Sequence, residues 1–125
     1  MAFKPTKKDL QRSQTCPAGM KLFTLINVET SYLKENGNEV QQCDFETDDG
    51  YIVPVWFNSK MLSTVLNFVQ AADGIKFEID DRLPEVELRD YLGKKVAGSV
   101  SHRKDDNGKI QAQIDEFFTA DKVPF

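Results

Sequence analysis

The 125-residue sequence has few of the residue types on which catalysis and metal binding usually depend, with one histidine and two cysteines. A structural zinc site needs about four ligands, and Cys16, Cys43 and His102 occur at no familiar ligand spacing, so we expect no metal. The sequence contains no glycine-rich phosphate loop, and no serine or cysteine lies beside a credible base. We therefore expect neither a cofactor nor an enzymatic activity, and we interpret His102 as a hairpin or phosphate contact.

Long apolar runs are also missing from the sequence. No stretch approaches the roughly 18 apolar residues of a membrane-spanning helix. The first 19 residues carry charge but no apolar run, so we expect no secretory signal. This favours a cytoplasmic protein with reduced cysteines and no membrane partner. With 40% apolar and 29% charged residues, the chain is sized for one domain around one modest core.

Charge is unevenly distributed along the chain, although the net charge is only −4. Residues 1–22 and 94–109 are basic, whereas residues 29–50 are strongly acidic. A polyanion would be repelled by the molecule as a whole and attracted to part of its surface, which favours modest, salt-sensitive binding. The alternative interpretation is that these segments are ordinary solvated faces.

The first half of the chain has the period of two that is typical of strands. Residues 20–33 alternate in character, with both faces partly apolar, and predict a long first strand. Asn36-Gly37 predicts a tight hairpin turn, and residues 40–47 predict a second strand with a bulge or change of face near its start. After a turn at 48–50, residues 51–57 predict a third strand, in which Pro54 requires an edge or a break in pairing.

The period then changes to that of a helix. Residues 58–74 carry Leu62, Val65, Leu66 and Val69 on one helical face, and a glycine ends the segment. A second, short helix is predicted over 83–93. Residues 94–102 and 109–117 alternate again and flank Asn107-Gly108, the strongest hairpin turn in the chain.

This order predicts a mainly β, α+β fold, specifically a five-stranded OB-fold barrel with a helical insertion between strands 3 and 4. The domain boundaries expected are a basic N-terminal arm at 1–16, the OB-fold at 17–118 and a mobile tail at 119–125. OB-folds bind oligonucleotides or oligosaccharides through strands 2 and 3 and the loops joining strands 1 to 2 and 4 to 5. Lys34 falls in the first of these loops and Arg103, Lys104 and Lys109 in the second, which favours nucleic acid over sugar.

Binders of single strands stack bases on aromatic rings while basic side chains follow the phosphates. Trp56 is the first stacking candidate because alternation allows it to point outward, opposite Val53 and Phe57; the alternative is that it packs in the core. The further candidates on the strands are Phe23, beside Lys21 on one face of strand 1, Tyr32 and Tyr51.

Two stretches, "PAGMKLFTLINVE" leading to a first hairpin and "YLGKKVAGSVSHRKDDNGKIQAQIDEF" around the last, resemble a phage-encoded family of small OB-fold proteins associated with single-stranded DNA binding. The resemblance covers roughly residues 17–118. It implies a protein that coats or protects single-stranded DNA in phage replication or recombination, in the host cytoplasm. The alternative function is an OB-fold interaction module or an inhibitor of a host enzyme, and an exposed strand edge leaves a homo-oligomer open.

The ending "ADKVPF" is similar to the tip of bacterial single-stranded DNA-binding proteins, although Lys122 follows Asp121 where that pattern has an acidic run. The resemblance implies that the tip docks replication or recombination proteins. The residues that would make this contact are Asp121, Val123, Pro124 and Phe125.

Overall fold

The computed structural model describes residues 2–12, 14–32, 37–60, 62–78, 80–83 and 85–123. Its strands are β1 (Gly19–Tyr32), β2 (Glu39–Thr47), β3 (Ile52–Asn58), β4 (Lys95–Lys104) and β5 (Ile110–Phe118). Its α-helices are α1 (Lys7–Arg12) and α2 (Leu62–Asp73), and single 3₁₀ turns occur at Leu88–Tyr91 and Ala120–Lys122. The predicted mainly β fold with a helix between strands 3 and 4 is confirmed. None of the helices described is both long and apolar enough to cross a lipid bilayer.

The five strands form one antiparallel sheet in the order β3-β2-β1-β4-β5. This order is compatible with an OB-like fold. Among the described residues no ladder joins β3 to β5, so these two strands are the edges of an open sheet. The edges nevertheless lie close together, because residues of both line one groove.

A bulge in β1 changes which residues face the core. Leu25 pairs with Phe45 and Asn27 with Asp44, so Ile26 is an extra residue on β1 and is 41% exposed. Before the bulge Phe23 and Leu25 are buried, and after it Val28 is buried. Both faces of this strand look partly apolar in the sequence because one set of alternate residues faces the core before the bulge and the other set faces it after the bulge.

The strand patterns of β2 and β3 agree with the predictions. In β2, Val40 and Cys43 are both buried although they lie three residues apart, which confirms the change of face. In β3, Pro54 pairs with Asp44 in an unbroken ladder to β2, and β3 is an edge strand. Of the two alternatives for the proline, an edge position is confirmed.

Helix α2 is shorter than the predicted segment 58–74. The Asn58 side-chain oxygen accepts a hydrogen bond from the Lys60 N–H at 2.9 Å, which makes a turn before the helix. Val65, Phe68 and Val69 are buried against the sheet, while Leu62 stays 57% exposed. The helix ends as predicted at Gly74, whose φ of +66° favours glycine.

The second predicted helix, 83–93, is wrong in extent, because only the 3₁₀ turn Leu88–Tyr91 forms there among the described residues. Immediately after this turn the chain returns to the sheet. The Gly93 N–H donates to the Leu25 carbonyl at 2.8 Å, and the Leu25 N–H donates to the Lys94 carbonyl at 3.1 Å. These bonds to β1 leave no length for a further helical turn.

Aromatic rings fill the space between the sheet and α2. The Phe45 ring lies 5.4 Å from Phe68 and 5.2 Å from Phe117, and Phe68 lies 5.3 Å from Phe117. Asn67 fastens α2 to β5, since its side chain accepts from the Phe117 N–H at 2.8 Å and donates to the Phe117 carbonyl at 3.3 Å. The C-terminal end of the β5 edge is thus covered by α2.

Both terminal segments contain residues with a defined position in the fold, and the predicted boundaries of the arm and the tail stay predictions. Cys16, placed at the end of the arm, is buried in the core, and its carbonyl accepts from His102 Nε2 at 2.7 Å. Residues 120–122 form a 3₁₀ turn, and Val123 is half-buried. The mobility expected of residues 119–125 stays a prediction. Pro124 and Phe125 lie outside the described residues.

Candidate nucleic-acid interface

A groove of about 490 Å³ separates the two edge strands. Strand β3 forms one wall, and β5 with the end of β4 forms the other. The lining residues are Pro54, Val55, Trp56, Arg103, Gln111, Ala112, Gln113 and Ile114. The groove therefore combines an aromatic ring, one cation, two side-chain amides and apolar walls.

Trp56 is oriented toward solvent, as alternation along β3 allows. Its side chain is 52% exposed, whereas Val53 and Phe57 on the other face are buried. The unbroken ladder to β2, with Trp56 opposite Gln42, fixes the position of its backbone. The alternative that Trp56 is a core residue is wrong, and its role in stacking stays a prediction.

Three cations lie around the β4–β5 hairpin. Arg103 pairs with Gln111 across the two strands and lines the groove with Trp56. Lys104 pairs with Ile110 at the end of the ladder, and Lys109 precedes β5; both lysines are exposed. Phosphates following the groove past Trp56 would meet these side chains at the hairpin end.

The turn of this hairpin is held by Asp105. Its carboxylate accepts from the Lys109 and Asn107 N–H groups and from the Gln111 amide, each at 2.9 Å. The Lys109 N–H, with the Gln111 amide next in importance, lowers the pKa of Asp105 below its ordinary 3.8. The predicted turn at Asn107-Gly108 is confirmed, with Gly108 at a φ of +80°. An ionised Asp105 thus orders the loop and offsets part of its positive charge.

The chain matches no protein-family model and no curated protein. The roles of its side chains are therefore inferred from their positions and chemistry. Among the residues that the structure describes, no group of three or more His, Cys, Asp or Glu side chains could hold a metal ion.

The prediction of Phe23 as a stacking residue is wrong. Its ring is fully buried and packs edge-on to Phe45, with the ring centroids 6.4 Å apart. The bulge at Ile26 is the physical reason, because it puts the odd-numbered residues before it on the core side. Lys21, assigned to the same binding face, is half-buried on β1 and does not line the groove. Its ammonium group lowers the pKa of the Cys16 thiol, although burial outweighs it and raises that pKa overall.

Of the two tyrosine candidates, only Tyr51 has a described side chain, and it is not placed beside Trp56. Tyr51 is half-buried against the core, and its N–H donates to the Thr47 hydroxyl at 2.9 Å. Trp56 lies five positions further along the chain, which corresponds to about 16 Å of strand. Tyr32 ends β1, but its side chain lies outside the described residues, as does the whole of Lys34.

The β5 wall of the groove was not predicted from the sequence. Gln111 and Gln113 alternate with Ala112 and Ile114 along this strand, and all four line the groove. The glutamines gave a visible pattern, two uncharged amides at a spacing of two, but nothing local to β5 indicates that it faces β3. The prediction of Pro54 at an edge was the one indication that an open seam exists.

Proposed function

We propose that the protein binds single-stranded DNA in the groove between β3 and β5. The observation that carries this proposal is the half-exposed Trp56 ring in the same groove as Arg103. Stacking on an aromatic ring contributes about 1 to 3 kcal/mol per base and tolerates any base. The Arg103, Lys104 and Lys109 cations attract phosphates, so affinity falls as salt rises.

A single strand suits this groove better than a duplex. Its bases can turn their faces to the indole, whereas a duplex must first unstack a base at a cost of a few kcal/mol. The side-chain amides of Gln111 and Gln113 provide hydrogen-bonding groups beside the ring without a fixed charge. This combination favours binding with little sequence preference.

The same proposal includes the finer description of the fold as an OB-fold barrel. The strand order is the one such a barrel requires, and the seam left to close is the one between β3 and β5. Asn67 on α2 covers one end of the seam through the backbone of Phe117. The groove is the part of the seam that α2 leaves uncovered, and the proposed ligand would bind there.

The decisive experiment uses the intrinsic fluorescence of Trp56, the single tryptophan of the chain. Titration with an unstructured DNA oligonucleotide should quench this fluorescence at low salt, and a duplex of equal length should quench it far less. The midpoint should move to higher DNA concentration as salt rises. Unchanged fluorescence together with no binding by sedimentation would remove the proposal and leave the interaction-module alternative.

We also propose that the C-terminal tip recruits proteins of replication or recombination to the DNA. Asp121 is exposed, and the hydrogen bond from the Thr119 hydroxyl, the largest influence on it, lowers its pKa. Deletion of residues 123–125 should leave oligonucleotide binding unchanged while abolishing pull-down of such partners. A marked fall in melting temperature on deletion would show that Val123 serves the fold instead.

A further inference from the structure

A second cavity, of about 380 Å³, lies on a different part of the molecule from the groove. It is bounded by the start of β2, the end of β3, helix α2 and the segment leading to the 3₁₀ turn at Leu88. The lining residues are Glu39, Gln41, Phe57, Asn58, Ser59, Leu62, Val65, Leu66, Leu83, Glu85, Val86 and Leu88. We call this cavity the acidic pocket.

The lining of the acidic pocket specifies what it can bind. Its walls are aliphatic and aromatic, and two of them, Leu62 and Leu83, remain 57% and 50% exposed. Its charged groups are the carboxylates of Glu39 and Glu85, and among its described lining residues none is Lys or Arg. An occupant with an apolar body and a cationic end is therefore favoured, and a polyanion is repelled.

A buried acceptor in the same pocket calls for a hydrogen-bond donor. Gln41 Oε1 is buried and has no hydrogen-bond partner among the residues that the structure describes. A buried acceptor left in that state costs about 1 to 3 kcal/mol, so native structures rarely retain one without a ligand, water or partner. Together with the carboxylates, this oxygen makes the pocket an acceptor site with apolar walls.

The N-terminal arm of the chain carries the complementary chemistry. Phe3 is 88% exposed, so its ring gains nothing from folding, and Lys4 follows it directly. The arm is partly ordered before any contact, because the Thr6 N–H donates to the Asp9 carboxylate at 2.7 Å and the Asp9 N–H donates to the Thr6 hydroxyl at 3.3 Å. An apolar ring beside an ammonium group is what the acidic pocket accepts.

We propose that the N-terminal arm of one copy docks into the acidic pocket of a second copy. The Phe3 ring packs between Leu62 and Leu83, the Lys4 ammonium lies at the Glu85 carboxylate, and an N–H of the arm donates to Gln41 Oε1. The donor and acceptor surfaces differ, so the contact is heterologous and adds copies in a row unless a ring closes.

The test is sedimentation of the full chain over a range of concentrations at low salt and without nucleic acid, so its outcome is independent of the proposed function. The wild type should form dimers and larger species. Phe3→Ala should raise the dissociation constant at least about tenfold, because it removes the anchoring ring. Leu10→Ala is the matched control, an exposed apolar residue of the same arm, and should leave association unchanged.

Charge exchange tests the orientation of the contact. Lys4→Glu and Glu85→Lys should each weaken association by roughly two- to fivefold, as for an exposed ion pair. Combining both in one chain should restore it, whereas Glu78→Lys, an exposed change outside the pocket, should have no effect.

Three results would overturn the proposal. In the first, the wild type stays monomeric up to about 1 mM, which would mean that the dissociation constant is too high for a specific contact between copies. Phe3→Ala and Leu10→Ala could associate equally well. Native mass spectrometry could find a small cationic molecule retained with the protein and released by Leu62→Glu, which would assign the pocket to a small ligand.

Discussion

The groove and the acidic pocket differ in charge but share one design. Each presents a large apolar side chain at about half exposure, Trp56 in the groove at 52% and Leu62 in the pocket at 57%. Arg103 lines the groove, whereas Glu39 and Glu85 line the pocket. A chain with a net charge of only −4 thus carries two surfaces whose charged lining residues are of opposite sign.

Both surfaces are built on the same aromatic core. Phe57 lies in the wall of the acidic pocket. Phe23 lies close to Ile114 of the groove wall, because both side chains pack around Gly98, where an added Cβ would lie 3.0 Å from each of them. The exposed residues differ between the two surfaces, whereas buried phenylalanines support both. Substitutions can therefore separate the two surfaces, or remove both together.

The largest effect is expected from Phe23→Ala, which should impair the groove and the acidic pocket together by destabilising the core that supports both. Removing a fully buried phenylalanine costs about 3 to 5 kcal/mol of unfolding free energy. Chemical denaturation followed by Trp56 fluorescence measures this loss. A loss below about 1 kcal/mol would show that the core does not depend on this ring.

The double substitution of Arg103 and Lys104 by Glu should affect the groove alone. Loss of two phosphate contacts should weaken oligonucleotide binding by roughly 50-fold or more at low salt and reduce the salt slope by about 1.4, at about 0.7 per contact. Fluorescence anisotropy at several salt concentrations gives both quantities. The matched control replaces Lys94 and Lys95, two exposed lysines at the opposite end of β4, and should retain the wild-type slope.

Trp56→Ala should separate stacking from stability. Loss of one stacked base costs about 1 to 3 kcal/mol of binding, or roughly 5- to 150-fold in affinity. The melting temperature should change little, because the ring is half exposed. Leu62→Ala removes a side chain of similar exposure from the acidic pocket and should leave DNA binding unchanged; equal losses in the two variants would contradict separate surfaces.

The smallest effect concerns Asp105 and its dependence on pH. Its pKa is lowered in the folded protein, so its contribution to the hairpin is complete above the ordinary value of 3.8 and is lost as pH falls through the lower folded value. Protection of the Lys109 amide proton, measured relative to its intrinsic exchange rate at each pH, should therefore fall below about pH 4 in the wild type and much less in Asp105→Asn. Oligonucleotide binding at neutral pH should tighten in this variant by less than about threefold, since one repelling charge is gone.

Much of the fold could be predicted from local patterns. Five strands, the helix after β3 and the final hairpin follow from alternation, helical spacing and turn residues that act over a few positions. The bulge at Ile26 and the short turn at Leu88 could not be predicted in this way. Both depend on pairing with distant parts of the chain, with β2 in the first case and with Leu25 in the second.

The candidate site was predictable to a smaller degree. Alternation gave the outward orientation of Trp56, and the hairpin turn gave the cluster around Arg103. The position of β5 as a groove wall depends on the curvature of the whole sheet, and the local sequence of β5 does not indicate that curvature. Phe23 was misassigned because a single inserted residue reverses the faces of a strand, a general weakness of inference from period alone.

Pro54 has a consequence for the behaviour of the protein at high concentration. An edge strand with a full row of N–H and C=O groups is a template on which other chains can add strands, and such growth ends in aggregation. Pro54 lies within β3 without interrupting its ladder to β2, so the missing N–H falls on the free side of the edge. Because this N–H is missing, a strand from another molecule cannot form a complete hydrogen-bonded ladder with β3, which opposes aggregation at high protein concentration.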